Sequence, residues 1–198
     1  MALKTLDNFK AQLTGGGARP NLFEVSIAYP TSLATTGTFT QNVTTPTGAT
    51  SSEDLLTFMV KAAALPASNI TPIEIPFRGR TLKVAGERTF DTWTITVLND
   101  VDFKIRTSFE QWMNGISRIS DASGVTNPTD YQKSAEVRQL NRAGEAVRKY
   151  KFVGIFPTNI SQIDLSMDST DTIEEYTVEF QVQYWEALDT DTTRPAIR

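Results

Sequence analysis

Apolar and polar positions alternate with a period of two along much of this chain. Over residues 21–29, Phe23, Val25, Ile27 and Tyr29 fall on one face, while Glu24, Ser26 and Ala28 fall on the other. That pattern predicts a half-buried strand, ended by Pro30 because proline has no N–H to give to a sheet ladder. Strands are also predicted over 58–65, 81–85 and 90–98. In the last of these, Trp93, Ile95 and Val97 oppose Thr92, Thr94 and Thr96, so a core side backs onto a polar, uncharged strip. Residues 134–141 and 147–156 read as two strands joined by a turn at Gly144, and 162–167 and 173–186 complete the set. Within the final run, Tyr176, Val178, Phe180, Val182 and Tyr184 alternate with Thr177, Glu179, Gln181, Gln183 and Trp185. About eight short strands separated by turn signals predict a mainly β fold, a two-sheet sandwich or barrel.

Two stretches follow the helical period instead. Ile105, Phe109, Trp112 and Ile116 step by four, three and four residues, which puts one apolar stripe on a helix that flanks the β core. Asp100 or Asp102 can cap its start and Gly115 suits its end. A shorter amphipathic helix, about residues 3–14, carries Leu3, Leu6, Phe9 and Leu13 and stops at Gly15, Gly16 and Gly17. Its apolar side needs a surface to dock on, such as a neighbouring subunit.

Two further segments fit neither period. Residues 31–57 are rich in Thr, Ser and Gly, with Glu53 and Asp54 as their only charges. A loop that long points to function or disorder: either it is mobile in the monomer, or it is a long hairpin that orders against a partner. Next, Pro66, Pro72 and Pro76 are interleaved with Ile70, Ile73, Ile75 and Phe77. The prolines forbid a central strand, yet the apolar side chains call for burial. An extended arm that buries them on another molecule meets both demands.

Composition narrows the function classes. The 198 residues suit one domain, with no internal repeat. There is no cysteine and no histidine, which removes Cys/His zinc sites, thiol nucleophiles and the Ser–His–Asp triad together. A net charge of −4 argues against tight, sequence-independent nucleic-acid binding, though not against surrounding DNA without holding it. No signal peptide or membrane-spanning apolar run is visible, so the expectation is a soluble chain made in a cytoplasm. Asp164, Asp168 and Asp171 lack the spacing, Gly and terminal Glu of a helix–loop–helix calcium site and read as an acidic hairpin tip. The Gly15–Gly17 run lacks the Lys-Ser/Thr ending of a phosphate loop. Glu174 and Glu175, adjacent on a strand, point to opposite faces and form no acid/base pair. Trp93 and Trp112 read as core, and Trp185, at a strand end, as interface packing. Charge is segregated: residues 131–151 hold six Lys/Arg against two Glu, and residues 161–198 hold nine Asp/Glu against two Arg. Long loop, apolar arm and segregated charge together point to self-assembly.

Several segments, in order, resemble the tail tube proteins of contractile-tailed bacteriophages. They are ARPNLFEVSIAY (18–29), VKAAALPASNI (60–70), FRGRTLKVAGERTFDTWTITVLND (77–100), YQKSAEVRQLNR (131–142), FVGIFPTNI (152–160) and EYTVEFQVQYWE (175–186). The combination of VAGERTFDTW, VLND, FPTN and QYWE is the specific part. Residues 31–57 are longer and more Thr-rich than the family pattern, and 187–198 reads as an extension of a single 1–198 domain. The resemblance implies a two-sheet β fold with a flanking helix, shared with the secreted tube protein of type VI secretion systems. It implies homohexameric rings that stack into a tube, a sheath outside, a baseplate initiator and a tail terminator at the ends, and DNA passing through the lumen unbound. It implies a virion component assembled in the host cytoplasm, with no cofactor, no reaction and no membrane partner. On this reading Thr92, Thr94, Thr96, Thr177, Glu179, Gln181 and Gln183 are candidates to line the lumen. Pro66, Ile70, Ile73, Ile75 and Phe77, with Leu6 and Phe9, are candidates for ring stacking. Arg138 and Arg142 would meet Glu174 and Glu175 of a neighbour in lateral charge contacts. Two alternatives are the tube of a secretion or bacteriocin-like injection system and, more remotely, a monomeric β-barrel binding protein, which would show a concave pocket with convergent polar groups.

Overall fold

The computed structural model describes residues 6–12, 17–30 and 52–189. Residues 31–51 of the Thr-rich segment, the ends of the N-terminal helix with Gly15 and Gly16, and residues 190–198 lie outside the described part. In chain order the elements are α1 (Leu6–Gln12), β1 (Phe23–Ile27), α2 (Ser52–Met59), β2 (Val60–Ala63), β3 (Asn69–Phe77), β4 (Arg80–Thr89) and β5 (Trp93–Leu98). Then come α3 (Lys104–Ile116), α4 (Pro128–Tyr131), β6 (Lys133–Leu140), β7 (Ala146–Ile160), β8 (Glu175–Gln181) and β9 (Tyr184–Asp189).

Seven strands join in the antiparallel order β1-β6-β7-β8-β5-β2, with β9 added to β7. β7 is long enough to serve two halves of this sheet. Residues 148–153 pair with β9, whereas 156–160 pair with β8. The halves close on one core in which Val25, Ile27, Val137 and Phe152 from one meet Trp93, Ile95, Val178 and Phe180 from the other. Trp93 stacks on Phe152 with ring centroids 4.4 Å apart. The apolar faces expected of β1, β5 and β8 are all inward, as the period-two pattern requires.

β7 changes partner from β9 to β8 between Val153 and Phe156, and Gly154 in that stretch has a φ of +67°. A Cβ there would lie 2.5 Å from Cγ of Gln183. Gly154→Ala therefore incurs both left-handed backbone strain and a clash, and should lower stability by about 1–3 kcal/mol. Thermal denaturation checks this; an unchanged melting temperature would mean that this stretch of β7 does not depend on glycine.

Helix α3 lays its stripe across the flank of the core, with Ile105, Phe109 and Trp112 fully buried. Tyr29 and Phe180 receive Phe109 at centroid distances of 5.5 and 5.7 Å. Asp100 does accept from the first helical N–H, that of Lys104, at 3.1 Å. The N-cap position itself is Phe103, which makes no side-chain cap bond. Gly115 does not end the helix: it is buried in the last turn, and its carbonyl accepts from Val125 N–H at 3.2 Å.

Three other expectations change. Residues 52–59 form helix α2, which buries Leu56, so the strand expected from 58 begins only at Val60. Residues 162–167 are loop, with Leu165 and Met167 exposed to solvent. The run 173–186 is not one strand: β8 ends at Gln181, and Val182 and Gln183 link it to β9.

Candidate assembly surfaces

The proline-rich arm is one strand of a separate two-stranded sheet, β3 with β4. Arg78 and Gly79 turn the chain with φ of +44° and +79°, the pair of positive values that a two-residue hairpin turn needs. Each strand of a two-stranded sheet is an edge, which is where Pro72 and Pro76 are tolerated. Gly86 lets the strands cross closely where the register shifts, since a Cβ there would sit 2.3 Å from the Thr71 carbonyl oxygen.

The hairpin is amphipathic. Ile73 opposes Val84 and Ile75 opposes Leu82, and Phe77 extends the same face. The reverse face carries Pro72, Pro76 and the Glu74–Lys83 ion pair at 3.3 Å. Neither face is covered: Ile75 is 46% exposed, Leu82 60% and Phe77 67%. Leu82 and Val84 were not among the arm residues named from the sequence. The signal for them was the Arg78–Gly79 pair between two alternating runs, which predicts a hairpin partner.

Two tryptophans fix the root of this hairpin. The Trp93 indole N–H donates to the Ala64 carbonyl at 2.9 Å, and that of Trp185 donates to the Ala67 carbonyl at 3.1 Å. Pro66 lies between these anchors, half-buried in the linker and not on the arm, and Ile70 is exposed at the base of β3. Trp185 also packs edge-on against Tyr150, so its expected interface role is first an intrachain one. Leu6 and Phe9 are exposed on α1 and meet no described core residue.

The polar strip is assembled by register. Across β5 and β8, Thr94 opposes Glu179 and Thr96 opposes Thr177, and Gln181 follows on the same face. Thr92 precedes β5, and Gln183 lies in the β8–β9 link beside Gly154, so neither belongs to the strip proper.

The lateral charge candidates are spread out. Arg138 is bonded within its own sheet to Glu136 at 3.0 Å and Glu24 at 3.4 Å. The Glu136 hydrogen bond raises its pKa further above the ordinary guanidinium value. Arg142 is exposed in the β6–β7 turn. Glu175 pairs with Lys61, and Glu174 accepts from the Asn99 amide at 2.8 Å. These last two border an open groove of about 750 Å³, whose lining includes the apolar Leu98, Ile163, Leu165 and Ile173 and the acidic Asp164 and Asp171. Elsewhere, the Ser123 hydroxyl beside Asp121 holds that carboxyl below its usual value, and burial pushes the Tyr176 phenol up. Among the described residues no three Asp/Glu converge as metal ligands, and no helix is long and apolar enough to cross a membrane.

Comparison with known proteins agrees with this architecture. The family model described as phage tail tube protein matches residues 18–188. The tail tube protein gp19 of Enterobacteria phage T4 is 35% identical over 181 residues, covering 91% of this chain and 98% of gp19. The tail tube protein of Serratia phage KSP90 is 23% identical, covering 94% of this chain and 97% of its own. Among solved structures, a chain of the anti-feeding prophage baseplate, 6-fold symmetrised, superposes with a TM-score of 0.59 at 11% identity over 88% of this chain and 97% of its own. A chain of the PVC sheath–tube complex, an extracellular contractile injection system, gives 0.55 at 16% identity over 91% and 97%. At those identities the structural likenesses speak to fold, and the sequence matches to family. The chain belongs to the phage tail tube protein family.

Proposed function

We propose that this virion protein is a structural, non-catalytic subunit whose six-membered rings stack into a hollow tube that conducts DNA. A sheath lies outside, with an initiator and a terminator at the ends. The observation that carries the reading is the uncovered apolar face of the β3–β4 hairpin. An isolated two-stranded hairpin is marginal in water, and a projecting row of Ile73, Ile75, Phe77, Leu82 and Val84 gains stability only against a partner. The fold likeness to a chain in a six-fold symmetrised particle and to one in a sheath–tube complex supports the ring and the sheath. The secretion-type alternative shares the fold; 35% identity to a phage tail tube protein favours the phage assignment.

In this reading the hairpin, with Ile70 at its root and the exposed Leu6 and Phe9 of α1, bridges stacked rings. Arg142, and Arg138 beyond its own ion pairs, contributes to lateral register against acidic residues of a neighbour. The Thr94–Thr96–Thr177–Glu179–Gln181 strip lines the lumen, and its hydroxyl, amide and acid groups offer phosphates no cationic hold. Electron microscopy of the purified chain across concentrations tests the assembly: uniform hollow tubes support it, and a permanent monomer even with an initiator refutes it.

The lumen assignment has its own check, because the chain contains no cysteine. In a Thr96→Cys variant a small maleimide should label both subunits and tubes. A bulky polymer maleimide should label subunits and spare tubes. Bulky labelling of intact tubes would put this strip on the outer wall.

A further inference from the structure

We propose that the hairpin tip of one subunit docks into the acidic groove at the opposite end of the β5–β8 sheet of a second copy. This contact rests on the tube reading above and names the surface that receives the arm. Its first support is position. The hairpin springs from the Trp93 end of β5, through the linker held by Trp93 and Trp185. The groove lies at the other end of the same strand, where Leu98 forms part of its lining. Donor and acceptor surfaces on one subunit are thus separated by the six-residue length of β5, about 20 Å. With nine residues in β3, the tip reaches about 30 Å beyond its root. A subunit with a donor at one end and its acceptor at the other makes heterologous, head-to-tail contacts, which continue without limit when rotation does not close them.

The second support is charge. The tip reads Phe77-Arg78-Gly79-Arg80, two cations with no acid between them, and Arg78 lies over the Phe77 ring at 5.4 Å. Residues 161–175 contain Asp164, Asp168, Asp171, Glu174 and Glu175 and no Lys or Arg. Of the groove's four acids, Glu175 is paired with Lys61 and Glu174 accepts from the Asn99 amide, and Asp164 and Asp171 are the two set to meet Arg78 and Arg80. The third support is apolar fit. Ile173, 72% exposed, and Leu165, 81%, line the groove together with Leu98 and Ile163, and Phe77 is the exposed aromatic at the tip. An aromatic anchor next to two arginines suits a groove lined by both aliphatic and acidic side chains.

Charge reversal tests the pairing. The substituted side chains are exposed, so each variant should keep the wild-type melting temperature. Arg78→Glu with Arg80→Glu, and separately Asp164→Lys with Asp171→Lys, should each cut the sedimentable tube fraction by about tenfold or more at 0.15 M salt. Combining all four changes in one chain should restore it. Normal tube yield from either double variant, or a fourfold variant as deficient as the doubles, would overturn the docking while leaving the tube reading intact. Failure of the unaltered chain to form tubes would remove both.

Discussion

Ile75→Asp with Leu82→Asp should yield a subunit that folds normally and does not polymerise. The two residues face each other across β3 and β4 and are already about half exposed. Exchanging them costs the isolated subunit little, within about 0.5 kcal/mol as for other surface changes. In the assembled state both side chains lose water. Each large apolar side chain is worth roughly 1.5–3 kcal/mol when buried, and a carboxylate forced into the same contact adds a desolvation cost. The subunit association constant should therefore fall by at least about 100-fold, compounded at every ring-to-ring junction. Circular dichroism would report the fold and sedimentation the polymer. Tubes at wild-type yield would show that the hairpin face is not a subunit contact, and a collapsed melting temperature would show that it supports its own chain.

Trp112→Ala should have the opposite signature, a loss of the subunit itself. Trp112 is fully buried on α3, packs beside Tyr29 and Phe180, and donates its indole N–H to the Tyr131 carbonyl at 2.9 Å. Truncation removes the largest buried side chain on the helix and leaves that carbonyl without its donor. A loss of about 3–5 kcal/mol is expected, a large part of the roughly 5–15 kcal/mol that holds a domain folded. Urea denaturation measures it. Trp112→Phe, which keeps most of the apolar volume, should cost clearly less, and equal losses from both would mean that the hydrogen bond dominates.

The contrast between these residues explains which features were legible in the chain. Burial against the chain's own core leaves a regular imprint, so the α3 stripe and the alternation of β1, β5 and β8 could be read directly. Alternation alone misleads: Ile163, Leu165 and Met167 mimic a strand, yet only Ile163 packs against the core, and all three lie in the loop that borders the groove. The final run hides a change of phase. Even-numbered residues from Tyr176 through Val182 are buried, but in β9 Tyr184 is 43% exposed and Ala187 is buried. Helix α2 was masked by the Thr- and Ser-rich composition before it, although Leu56 and Met59 have helical spacing. The arm was recognised from its prolines, whereas its partner strand was not tied to it, because Arg-Gly is a weaker hairpin signal than Asn-Gly or Asp-Gly. The groove could not be seen at all, since its walls come from β2, β5, the 161–174 loop and the start of β8, which only the fold brings together.

A helical reconstruction of tubes grown from the purified chain by electron cryomicroscopy tests the central claim most directly. The account predicts six-membered rings stacked head to tail, with the Thr94–Thr177 strip facing the lumen and the β3–β4 hairpin crossing to the next ring. Tubes in which the hairpin projects freely into solvent while other elements carry the stacking would contradict it.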